Sequence, residues 1–183
     1  DQKVMMEVVR ILVTARQRDK AFKLLIEATK NPAAPAELHA LLAATYLEKK
    51  NPELAKAAAR HAIKKGPQSI VGYKTLMQVF QYEIRNGAKR TKQIRELIDQ
   101  AMTQKNPTVP FQRELALMMA GYISISKEST EELKPKILEM LDKAWAAKPE
   151  KPIELEQVAR GYRLAGAHKK AAKAMEALLK TLP

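Results

Sequence analysis

The sequence predicts an all-α protein of about ten helices in five antiparallel pairs, and three observations predict it. Apolar residues recur at intervals of one and three, as in Val4, Met5, Val8, Val9, Leu12 and Val13, which is the stripe of a helix and not the alternation of a strand. Proline marks breaks at Asn31-Pro32, Asn51-Pro52, Gly66-Pro67, Asn106-Pro107 and Lys148-Pro149, because it cannot continue a helix and disfavours helical geometry in the residue before it. The first segment laid on the second repeats at a spacing of 34 residues, so that Val8-Val9 falls on Leu42-Ala43, Ala21 on Ala55 and Ala28 on Ala62.

The units follow in order as roughly 2–35, 36–69, 70–109, 110–151 and 152–183. In the first, Arg16-Gln17-Arg18-Asp19 is a polar break after the opening stripe. Ala21, Phe22, Leu25, Ile26 and Ala28 then make a second helical face. In the second, Leu38, Leu41, Leu42, Ala43, Tyr46 and Leu47 line one helix, and Leu54, Ala55, Ala58, Ala62 and Ile63 the next. Pro52 opens that second helix, where its missing N–H costs nothing. The third unit runs through Tyr73, Leu76, Met77 and Phe80 toward Ile84, turns at Asn86-Gly87, and resumes with Ile94, Leu97, Ile98 and Ala101. It holds about five residues beyond the repeat length, expected between its helices around Arg85 to Thr91.

The fourth unit shows Leu115, Met118, Met119, Tyr122 and Ile123 on one face. An insertion of about six residues follows within SISKESTEELKP. Ser129-x-x-Glu132 fits a capping box there, whereas Pro135 argues for a helix start near Lys134. Ile137, Leu138, Leu141, Ala144 and Trp145 form the next helix, with Trp145 expected to pack toward a neighbouring pair. The methionines Met77, Met102, Met118, Met119, Met140 and Met175 read as core filling. The fifth unit returns to standard length, with Leu155, Val158, Ala159 and Tyr162, a turn at Gly166, then Ala171, Met175 and Leu178.

The second unit resembles the tetratricopeptide repeat (TPR) family. Leu42, Ala43, Tyr46, Ala55, Ala62 and Pro67 occupy that family's Leu, Gly/Ala, Tyr, Ala, Ala and Pro positions. Small residues let the two helices approach closely, and Tyr46 is expected to fill the gap between them. The fifth unit matches nearly as well, with Leu178 where the family has Ala. The third and fourth match weakly, and plain helical hairpins between TPR units are the rival reading there. The resemblance spans the chain and implies one domain over residues 1–183. It would be a right-handed α-α superhelix in which each pair touches only its neighbours.

The same resemblance implies a concave groove lined by the first helix of each pair. Carried over position by position, its polar candidates are Arg10, Lys74, Gln78, Tyr82, Arg113, Arg160 and Arg163. Arginine presents forked donors that suit carboxylates, so an acidic or C-terminal peptide segment is the expected ligand. The chaperone-binding subfamily places Asn at groove positions occupied here by Arg10 and Ala44, so binding of chaperone tails is not expected. A second candidate surface is the basic insertion Arg85, Lys89, Arg90, Lys92 and Arg95, suited to phosphate or an acidic protein, against the plainer reading of a solvated, lengthened turn.

Composition bounds the rest. The chain has 183 residues and a net charge of +13, spread along its length, which favours acidic partners or simply a soluble Lys-rich surface. There is no cysteine, which excludes disulfides, thiolate metal sites and Cys nucleophiles, and fits a bacterial protein of either cytoplasm or periplasm. No apolar run is long enough for a membrane span. The chain opens with Asp and not Met, so it is expected to be trimmed from a longer one, with room for a removed signal peptide.

His39, His61 and His168 are never paired at metal-ligand spacing on one helix face, and no Gly-rich phosphate loop or nucleophile elbow is present. Glu154 and Glu156 read as solvated charges. No catalytic residue, cofactor or metal is therefore predicted. The expected function is a protein-interaction scaffold binding a partner peptide or protein. The alternative is a basic, nucleic-acid-associated helical-repeat protein, weakened by an aromatic content of only 5%, since single-strand binders supply stacking platforms.

Overall fold

The computed structural model describes residues 2–83, 87–126 and 130–181. They form ten helices and, among the described residues, no strand. The helices are α1 (Gln2–Thr14), α2 (Arg18–Lys30), α3 (Ala36–Glu48), α4 (Pro52–Lys65) and α5 (Ile70–Glu83), followed by α6 (Gly87–Met102), α7 (Val109–Ile125), α8 (Thr130–Ala146), α9 (Pro152–Leu164) and α10 (His168–Leu179). They fall into two compact units, Asp1–Gln104 with α1 to α6 and Lys105–Pro183 with α7 to α10.

One local device makes the hairpins of the standard-length pairs. Arg16, Lys50 and Gly166 each adopt positive φ, at 58°, 58° and 75°, just after α1, α3 and α9. The next backbone N–H then reaches back five residues: Gln17 to Leu12, Asn51 to Tyr46 and Ala167 to Tyr162, at 2.8, 2.9 and 2.8 Å. This left-handed stop satisfies carbonyls that the helix end would otherwise leave unpaired. Asn51 also caps the following helix, its Oδ1 accepting from the Leu54 N–H at 3.2 Å, with Pro52 in the first turn.

In the first unit the seam of α3 and α4 is made of alanine. Ala43, Ala55, Ala59 and Ala62 are fully buried. Gly72 extends that closeness to α5, since a Cβ there would lie 2.8 Å from the Ile63 backbone nitrogen. In the second unit Leu115, Met119, Leu133, Ile137, Leu141 and Val158 are the interior, drawn from α7, α8 and α9.

The surplus residues of the third and fourth units lengthen helices, not turns. Helices α6, α7 and α8 have 16, 17 and 17 residues, against 12 to 14 in the others. The lengthened turn expected around Arg85 to Thr91 is corrected for Gly87 to Thr91, which belong to α6, while Arg85 and Asn86 lie outside the described residues. The helix start near Lys134 is corrected too: α8 begins at Thr130 and Pro135 lies inside it. Proline there forgoes one hydrogen bond, while the early start carries Leu133 into the core with no exposure at all. Ser129 and its capping box lie outside the described residues.

Some expected core positions are open to solvent. Val4, Val8, Leu54 and Met175 are exposed. Trp145 is also partly exposed, at the edge of a hollow with Pro149, Leu155 and Ala177, because it falls at the end of α8.

Candidate functional site

The first helices, α1, α3 and α5 in one unit and α7 and α9 in the other, carry the positions expected to meet a partner. In the first unit Arg10 is exposed on α1, with its guanidinium 3.9 Å from the Glu7 carboxylate one turn back. On α5, Gln78 and Tyr82 are exposed and Lys74 is half-buried. Ala40 is buried on α3, and Ala44 and Leu47 are half-buried, so this helix offers little polar chemistry.

In the second unit the arginines divide into two kinds. Arg113 is buried on α7. Its Nε donates to Gln157 Oε1 at 2.8 Å, and a terminal nitrogen donates to Glu154 Oε1 at 3.4 Å. Both acceptors lie on α9, so Arg113 ties one first helix to the next. A buried guanidinium needs such partners, because an unpaired charge in low dielectric is costly. The reading of Glu154 as a solvated charge is corrected by the same contact: its side chain is only 22% exposed.

Arg160 and Arg163 are the other kind. They lie one turn apart on α9, both exposed, and neither guanidinium has a hydrogen-bond or ion-pair partner among the described residues. Elsewhere on this face Ala116, Ala120 and Ile123 of α7 are buried, which leaves α9 as the exposed polar wall of the unit.

The basic insertion is helical surface. Arg85 lies outside the described residues, and Lys89, Arg90, Lys92 and Arg95 lie on α6. Arg95 Nε is 3.2 Å from Asp99 one turn on. The charge of Lys89 reaches Glu83 at the end of α5. A hydrogen bond from Lys56 is the main cause of the lowered Glu83 carboxyl pKa, and burial opposes it. Lys56 thereby clamps α4 to α5.

Two side-chain arrangements were not legible as spacing along one helix. His39 of α3 stacks on His61 of α4, with ring centroids 5.6 Å apart and planes at 23°. His39 is buried, and its Nε2 has no hydrogen-bond partner among the described residues. On the other unit, Asp142 of α8 accepts from the Tyr162 hydroxyl and from Lys170 Nζ, each at 2.7 Å. Among the described residues, no group of three or more His, Asp or Glu side chains is placed to hold a metal ion, and no helix is long and apolar enough to cross a membrane.

No family model and no curated protein matches the chain. Solved structures do. The MamA RS-1 ArsTM double mutant is 14% identical over 98% of this chain and 93% of its own, with a TM-score of 0.50. The C-terminal part of a TPR repeat-containing protein from Cytophaga hutchinsonii is 11% identical over 97% of this chain and 64% of its own, again with a TM-score of 0.50. At such identities the likeness is one of fold, and the fold is of the TPR type.

Proposed function

We propose that this chain, with its TPR-type fold, is a non-catalytic protein-interaction scaffold that takes an acidic peptide segment against its first helices. The observation that carries the reading is the contrast on neighbouring helices between Arg113, which is paired, and Arg160 and Arg163, which are exposed and unpaired. Two guanidinium groups one turn apart can receive successive carboxylates of an acidic segment through charge-assisted, forked hydrogen bonds. In the first unit, the exposed Gln78 and Tyr82 of α5 supply an amide and an aromatic face for peptide contacts.

The decisive experiment is a pull-down with wild type and with Arg160→Glu plus Arg163→Glu. The double variant is expected to lose the acidic partners that wild type recovers, with circular dichroism unchanged. Recovery of the same partners by both proteins would reject the α9 assignment. A mobility shift with single-stranded RNA and DNA at about 100 mM salt separates the nucleic-acid alternative, because phosphate contacts dominate such affinity. The scaffold reading expects no shift.

A further inference from the structure

The first unit also has a cleft on the side of its second helices. Helices α4 and α6 both pack on α5 and leave between them a cleft of about 510 Å³. That is within the ordinary range for sites that take a side chain or small ligand. Its floor is apolar, made by Ile63, Leu76, Phe80 and Leu97, all buried. Its α4 wall carries Arg60 and Lys64, one turn apart and exposed, neither with a side-chain partner among the described residues. Its α6 wall carries the amides Gln93 and Gln100, with Glu96 as the single acid, and Gln104 lies just beyond the end of that helix.

These surroundings select an occupant. Two unpaired cations against one carboxylate leave the rim electropositive, and Arg90, one turn before Gln93 on the same stripe of α6, extends that sign. Side-chain amides both donate and accept, which suits a peptide backbone. The apolar floor suits one inserted aliphatic or aromatic side chain, the anchor arrangement of peptide-recognition sites. A nucleic acid is disfavoured, because Phe80 is the one aromatic among the residues lining the cleft, too few for successive bases to stack. We infer that the α4–α6 cleft docks an acidic segment of another protein, with one apolar side chain seated over Phe80 and Leu97 and flanking carboxylates on Arg60 and Lys64. The surface is separate from the first-helix face: Gln78 and Tyr82 of α5 are exposed, while Leu76 and Phe80 of the same helix line the cleft.

The test is to pan a random displayed peptide library on the full chain carrying Arg160→Glu plus Arg163→Glu, so that the α9 arginines cannot select peptides, and to measure the selected peptides by fluorescence polarisation. Selected peptides are expected to carry an apolar residue flanked by Asp or Glu. They should bind Arg60→Glu plus Lys64→Glu at least about tenfold more weakly than wild type, as for the loss of charge complementarity at an interface. They should bind Glu96→Gln more tightly. On binding, the side-chain amide signals of Gln93 and Gln100 should move in a heteronuclear NMR spectrum. A library that yields no binder overturns the inference. So do binders indifferent to the α4 charge reversal, and so does displacement by single-stranded DNA at concentrations equal to the peptide's own, which would mark a bulk charge effect. All the substituted side chains are exposed, so circular dichroism matching wild type is expected throughout.

Discussion

The α3–α4 pair of the first unit and the α9–α10 pair of the second share one ground plan and differ in how they hold the helix before them. Both use the same left-handed stop, and both place a tyrosine four residues before it, Tyr46 and Tyr162. Tyr46 is half-buried and meets Phe22 of α2 edge-on, with ring centroids 5.3 Å apart at 85°. Lys49 lies over the same Phe22 ring and 2.9 Å from Asp19. Tyr46 is expected to fill the gap between α3 and α4, and its ring also reaches back to the preceding pair. Tyr162 is buried and reaches back as well, but its hydroxyl donates to Asp142 of α8, which Lys170 of α10 also holds. The repeat position decides where the ring points. The neighbour decides whether the contact is an apolar edge or a polar network, and Tyr162, whose ring is the more deeply buried, has the more to lose on truncation.

That difference sets the size of the expected effects. Truncating Tyr162 to Ala should cost about 3–5 kcal/mol, the range for a fully buried aromatic, and Tyr46→Ala about half of that, read from urea midpoints of the two variants. Equal losses would mean that the two tyrosines do the same job. Removing only the hydroxyl is the sharper version. Tyr162→Phe leaves Asp142 without one donor and should cost about 1–2 kcal/mol. Tyr46→Phe should stay within about 0.5 kcal/mol of wild type, since no hydrogen bond is made by its hydroxyl among the described residues.

Acid should find the first pair before the second. Burial lowers the His39 pKa below the ordinary imidazole value, helped by the charges of His61 and Lys65. The unfolded chain therefore binds the proton more readily than the folded one. The stability this contributes is complete above about pH 7 and is lost as pH falls through the unfolded value near 6.5, at no more than about 1.4 kcal/mol per pH unit. At Asp142 burial pushes the carboxyl up, but hydrogen bonds from Lys170 and Tyr162 and the charge of Lys170 outweigh it and leave the pKa lowered. Its contribution is lost only in the acid range below the ordinary carboxylate value. Melting temperature should thus fall between about pH 7 and pH 5 in wild type, and His39→Gln should flatten that slope. An unchanged slope in the variant would take His39 out of the account.

Two further substitutions test the shared turn. Lys50 adopts a conformation that costs a non-glycine residue about 1 kcal/mol, and Gly166 avoids that cost. Lys50→Gly should gain and Gly166→Ala should lose roughly that amount in thermal unfolding, provided the freer unfolded chain does not cancel the gain.

Much of this architecture was open to reading along the chain. The five helical pairs follow from stripes of period near 3.6 and from prolines at the breaks, and the fully buried Ala43, Ala55 and Ala62 stand where the 34-residue register puts small residues. The candidate site was less open. Arg113 and Arg160 are the same residue type on two first helices, and nothing local separates one buried on Gln157 and Glu154 from one facing solvent. The α4–α6 cleft was missed as a whole. Its faint trace is Arg60 and Lys64 one turn apart, facing a stripe of glutamines on a helix some thirty residues further on.

By itself the sequence determined the helices, their pairing and the stops between them, because periodicity, proline and left-handed turn positions act within a few residues. Only the tertiary structure decided that surplus residues extend α6, α7 and α8, that His39 stacks on His61, and which cations stay unpaired. Those outcomes depend on partners brought together from distant helices, and whether a charge is buried and satisfied or left open to a ligand is a property of that meeting and not of either stretch alone.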